Sequence, residues 1–161
     1  MMTTLIIVIV IVATLGSIFW VLPSPHERKR MRFRQAAISQ GMSVQFVKPD
    51  IPPALTNKVA SQAYCIGYRL TFHDSNPLTS IRFYRSEAEA TDWWQDSRGS
   101  QQTVAEEHLM ATLNALPDDV RAVMVGGPCV TAVWQERGEE ADIEQIKRQL
   151  VSLTDQLMVV G

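Results

Sequence analysis

The sequence predicts an α+β protein: an N-terminal transmembrane helix, then a small antiparallel-sheet domain of about five strands with helices packed on one face. Three patterns predict it. Residues 5–22 form an uncharged apolar run, period-two alternation marks several short segments between residues 43 and 136, and the C-terminal segment repeats its apolar residues at helical spacing. The 161 residues suit one domain plus an anchor. The expected divisions are an anchor over 1–24, a basic juxtamembrane helix over 25–41 and a cytoplasmic α+β domain over 42–161.

The anchor comes first. Between Leu5 and Leu22, 13 of the 18 residues are Leu, Ile, Val or Phe. Eighteen helical residues rise about 27 Å, near the thickness of a bilayer's hydrocarbon core. The many β-branched residues favour a strand, but a lone strand in hydrocarbon leaves its backbone groups unsatisfied, so a helix is expected. Met1-Met2-Thr3-Thr4 carries no base and no small-x-small site precedes Pro23, which argues against a cleaved signal peptide. Leu5, Ile11, Phe19, Trp20 and Leu22 are the expected anchor residues, with Trp20 at the belt position.

Charge gives the anchor a direction. Arg28, Lys29, Arg30, Arg32 and Arg34 follow the apolar run, and no base precedes it. The positive-inside rule then sets the N-terminus outside and the C-terminal domain in the cytoplasm. Those five bases form a collar expected to face lipid headgroups, on a helix opened by Pro25 and stopped by Gly41. Removing them and Glu27 from totals of 15 bases and 17 acids leaves 10 and 16 from residue 35 onward, a net of −6. An acidic domain argues against nucleic acid as a partner.

Next, residues 43–48 alternate and end at Pro49, predicting a short strand. Residues 49–62 hold Pro49, Pro52 and Pro53 and read as a surface connection. Tyr64, Ile66, Tyr68, Leu70 and Phe72 share one face of a strand over 64–72. His73-Asp74-Ser75-Asn76-Pro77 is turn chemistry, and Ile81 and Phe83 alternate with Arg82 and Tyr84 beyond it, predicting a hairpin. Ser86-Glu87-Ala88-Glu89 and Thr103-Val104-Ala105-Glu106 match capping boxes. The first opens a short helix ending by Gly99, and the second a better one stopped at Pro117. Residues 120–125 and 129–136 form a hairpin about Gly126-Gly127-Pro128. Ile143, Ile146, Leu150, Leu153 and Leu157 make an apolar stripe on a last helix over 142–158, to be packed on the sheet.

Chemistry is sparse. No phosphate-binding glycine loop, dinucleotide fingerprint, nucleophile elbow or His-Glu-x-x-His stands in the sequence. His73-Asp74 reads as turn rather than as an oriented imidazole. Glu106, Glu107 and His108 diverge by about 100° each around a helix and read as a solvated face. Neither Asp118-Asp119 nor the Glu136, Glu139 and Glu140 group has the order of a calcium loop. Cys65 and Cys129 are too few for a disulfide framework or zinc site and read as buried thiols. No cofactor, metal or catalytic residue is expected. Of the adjacent Trp93 and Trp94, one is expected inside and one near the surface, making the pair a candidate contact with a protein partner.

The anchor, the Arg-rich collar, Leu116-Pro117-Asp118-Asp119-Val120 and Val133-Trp134-Gln135-Glu136-Arg137-Gly138 resemble a group of uncharacterised single-pass proteobacterial inner-membrane proteins with a small C-terminal domain. That resemblance implies a bacterial inner membrane and brings no activity or catalytic residues. The expected role is a membrane-anchored accessory or scaffold subunit, not an enzyme. It would touch membrane lipids and bind a protein partner, or a larger membrane complex, at the cytoplasmic face. The alternative is a membrane-tethered sensor of a small ligand.

Overall fold

A computed structural model describes residues 1–19, 24–48, 65–72, 78–86, 93–97, 100–103 and 107–160. The chain divides into two compact units, Met1–Met31 and Arg32–Gly161.

In the first unit, helix α1 runs Met2–Phe19. Its apolar side chains from Leu5 to Val12 are each at least half exposed. No helix among the described residues is long and apolar enough to cross a membrane. This corrects the predicted transmembrane helix, and with it the single-pass inner-membrane location and the sidedness drawn from the collar. The physical reason is length. Of the predicted run over 5–22 only Leu5–Phe19 lies in α1, and that stretch rises about 22 Å, short of the roughly 30 Å hydrocarbon core. Trp20 and Leu22, needed for the predicted span, lie outside the described residues.

Helix α2 runs Pro25–Ser39. Ser24 and Glu27 cap it reciprocally: the Glu27 N–H donates to Ser24 Oγ at 3.3 Å, and the Ser24 N–H donates to Glu27 Oε2 at 2.9 Å. At the other end Gly41 takes φ +83°. There the Met42 N–H reaches Ala37 O and the Gly41 N–H reaches Ile38 O, both at 3.0 Å. This paired closure leaves Ala37 and Met42 buried together and turns the chain into the sheet.

Among the described residues the sheet has seven antiparallel strands: β1 (Ser43–Val47), β2 (Cys65–Thr71), β3 (Leu78–Arg85), β4 (Trp93–Ser97), β5 (Ser100–Thr103), β6 (Val120–Gly127) and β7 (Cys129–Trp134). Their order is β1-β2-β7-β6-β3-β4-β5. Two expectations change here. The sheet exceeds five strands because β4 occupies the stretch read as a short helix before Gly99, and β5 follows just beyond it and pairs with β4. The strands either side of His73–Pro77 are not a hairpin: β2 pairs with β1 and β7, whereas β3 pairs with β4 and β6. His73 to Pro77, like the proline-rich 49–62, lie outside the described residues.

Helix α3 (Glu107–Asn114) and helix α4 (Ala141–Val160) complete the described elements. The α4 stripe is buried at Ile143, Ile146, Leu150 and Leu153. It packs in one cluster with Tyr68, Leu70, Phe83, Val123, Val125, Val130, Ala132 and Trp134 from the sheet and Phe33 and Ala37 from α2. Alternation gives the opposite sheet face to Tyr84, Ala122 and Val133, with Cys65, Trp94 and Met124 against them. Neither Cys65 nor Cys129 is in a disulfide, and both are only half-buried.

Candidate functional site

Glu136 follows β7 with the parity of Val130, Ala132 and Trp134, so the alternation carries a carboxylate toward the core. It sits at φ +58°, a left-handed conformation costing a non-glycine residue about 1–2 kcal/mol. What holds it there is a three-part contact. Arg34 donates from Nε to Oε1 at 3.0 Å and from Nη2 to Oε2 at 2.9 Å. The Tyr68 hydroxyl donates to Oε1 at 2.8 Å. The carboxylate side chain is only 2% exposed and that of Arg34 33%. Hydrogen bonding to Glu136 raises the Arg34 pKa. Burial, then the bond to Glu136, pushes the Tyr68 phenol well above its ordinary range.

Aromatic packing continues the attachment. Phe33 stacks on Trp134 with centroids 5.2 Å apart, and Tyr68 meets the same indole edge-on at 5.3 Å. Together these contacts fix α2 to the β2–β7 end of the sheet. Arg34 then reaches outward, its guanidinium carbon 5.9 Å from the centre of the Phe46 ring on β1.

This arrangement creates an apolar edge. Within Arg32–Gly161 the large exposed apolar side chains among the described residues are Ile38, Phe46 and Val151. Phe46 is 73% exposed, on the outermost strand, and Ile38 is 61% exposed. Ile38 lies four residues after Arg34, hence on the same side of α2. Among the described residues no strand pairs with the outer side of β1, so alternate N–H and C=O groups point away from the sheet there. Ser43 to Val47 carry no charge; Lys48 follows at once.

Other charged clusters of the domain are engaged in its own packing. Arg85, 2% exposed, donates to Pro117 O at 2.8 Å, Leu116 O at 3.2 Å and Leu113 O at 3.3 Å, with its guanidinium 4.7 Å over Trp93. Burial lowers its pKa. It closes the C-terminal end of α3, where a cation suits the helix dipole. A shallow groove of about 460 Å³ between α2 and α4 is lined by Gln40, Glu144, Lys147, Arg148 and Val151. Its cations are engaged, Lys147 on Gln40 O at 2.7 Å and Arg148 on Glu144 at 3.5 Å. Among the described residues no three His, Cys, Asp or Glu side chains gather for a metal.

The residues singled out in the sequence are placed as follows. Leu5 and Ile11 lie exposed on α1, and Phe19 ends that helix. Arg28, Lys29, Arg30, Arg32 and Arg34 all lie on α2. Arg34 faces Glu136 rather than a headgroup. Trp93 is fully buried, its indole N–H on Asn114 Oδ1 at 3.1 Å, which removes it from any contact surface. Trp94 is half-buried on the opposite sheet face. The Glu136 contact and the Phe46 edge were missed. A charge at inward parity after Trp134 signalled the first, and an uncharged strand so close to the basic helix signalled the second.

No family model matches the sequence, and no curated protein matches it. Among solved structures the chain is similar to the mycobacterial trehalose monomycolate transport factor A, at 10% identity and a TM-score of 0.44. The match covers 78% of this chain and 92% of that one. A likeness of this order carries no argument about ligand or partner.

Proposed function

We propose that the Arg32–Gly161 unit is a protein-binding module of an accessory or scaffold subunit, and that it binds along the edge formed by α2 and β1. The observation that carries this reading is Phe46, a large aromatic side chain 73% exposed on a strand that no other described strand pairs on its outer side. An outer strand normally carries a charge or proline within it to discourage pairing, and Ser43–Val47 has neither. An exposed aromatic on a strand whose outer side no described strand pairs suits strand addition by a protein, in which main-chain bonds supply affinity and alternate side chains supply selectivity. Arg34 stiffens the edge from beneath, since Glu136 already holds it.

A photo-reactive amino acid at position 46, compared with one at exposed Glu107 on α3, tests this in the native cell. Adducts to protein from position 46 and none from position 107 are expected. Equal labelling from the two positions, or none from position 46, overturns the proposal.

A further inference from the structure

The β1 edge is self-complementary, and we infer that its occupant is a second copy of this chain, paired antiparallel through β1 about a two-fold axis at Gln45. This rests on the reading of that edge as a protein-binding surface. In Ser43-Val44-Gln45-Phe46-Val47 the middle residue is polar and an apolar residue flanks it on each side, Val44 and Phe46. Antiparallel pairing sets residues of one face opposite each other, so the allowed registers differ by whole residues at the centre. Centring on Gln45 uses all five strand residues of both copies. It sets Val44 against Phe46 twice, an aromatic and β-branched pair of the kind that stabilises neighbouring strands by roughly 0.2–1 kcal/mol. Centring on Phe46 would put Lys48 against Val44, and centring on Val44 would leave Val47 without an opposite in the strand.

Charge agrees with that register. Lys48 of one copy falls opposite Met42 of the other, and the two Lys48 residues stand on the order of 20 Å apart along the seam. Each Arg34 is neutralised within its own copy by Glu136, so the approach does not oppose two bare guanidinium charges at that position. Because the axis is perpendicular to the sheet, both helical layers stay on the same side. A five-residue seam is short, so the contact is a concentration-dependent one.

The test uses the full chain with Cys65→Ser and Cys129→Ser. Opposite Cα atoms in an antiparallel pair lie about 4.5–5.5 Å apart, within disulfide range. Gln45→Cys is expected to form a disulfide-linked dimer under mild oxidation, and Glu107→Cys is not. Adding Phe46→Lys is expected to lower the trapped fraction tenfold or more. A mixture of Ser43→Cys and Val47→Cys chains is expected to cross-link at least fivefold more than either alone. These two variants check the register without altering Phe46. No dimer from Gln45→Cys, equal trapping at positions 45 and 107, or indifference to Phe46→Lys overturns the inference. If Gln45→Cys fails while position 46 still labels a different protein in cells, the second copy is refuted and the edge reading stands; if position 46 labels nothing, both fall.

Discussion

Removing the Arg34 side chain should loosen the domain more than neutralising the carboxylate it binds. Glu136 accepts three hydrogen bonds while almost wholly buried, and two come from Arg34. Arg34→Met takes two hydrogen bonds and the facing positive charge away from a buried carboxylate. Breaking a fully buried pair costs roughly 3–5 kcal/mol. Arg34 is one-third exposed, so solvent already screens part of the attraction and about 2–3 kcal/mol is the better expectation. Glu136→Gln keeps an acceptor for Tyr68 and leaves a guanidinium that can turn toward water, so about 1–2 kcal/mol is expected. The double variant should fall short of the sum by about 1–2 kcal/mol, because the first change removes what the second would break. Urea unfolding followed by tryptophan fluorescence reads all three, with Trp134 packed beside the cluster. Additivity within about 0.5 kcal/mol, or Glu136→Gln costing more than Arg34→Met, would refute the reasoning.

Three further outcomes follow from the geometry. Arg85→Lys should cost about 2–3 kcal/mol in the same unfolding assay, because an ammonium cannot reach three carbonyls and cover Trp93 at once; a neutral result would remove Arg85 as the closure of α3. Gly41→Ala should cost about 1 kcal/mol although nothing lies within 4 Å of the added methyl, since the penalty is the left-handed backbone alone. Gly126→Ala, with open space and no positive φ, is the control and should be near neutral. For Tyr68, the folded pKa is raised, so both states hold the proton below the ordinary value of about 10 and no penalty exists there. As pH rises past that value the unfolded chain ionises first and stability is lost. Tyr68→Phe should flatten the decline between about pH 9 and pH 11, and an unchanged slope would count against the buried phenol.

How far the fold could be read depended on whether local pattern and tertiary environment agreed. The strand at Cys65–Thr71, the hairpin of β6 and β7, and the stripe of α4 were legible because period two or helical spacing persists through each. The strand at Trp93–Ser97 was not. Ser86-Glu87-Ala88-Glu89 offers a strong local helix start, and Trp-Trp-Gln-Asp-Ser has only weak alternation. Pairing with β3 across Arg82–Arg85 decides it instead, a contact no local window contains. The same holds for the site. Arg34 and Glu136 are 102 positions apart, so a collar of five bases looked uniform although one of its members is committed to the domain. The apolar run over 5–22 was plain in the sequence, yet no helix among the described residues is long and apolar enough to cross a membrane.

Hydrogen exchange at the backbone amides of Ser43–Val47 in the full chain tests the β1 edge most directly. If this edge receives a strand, its outward amides exchange slowly at high protein concentration, lose that protection on dilution, and lose it at every concentration in Phe46→Lys, while β6 and β7 stay protected throughout. Outward amides of β1 that exchange freely at all concentrations, or whose protection ignores Phe46→Lys, would contradict the account.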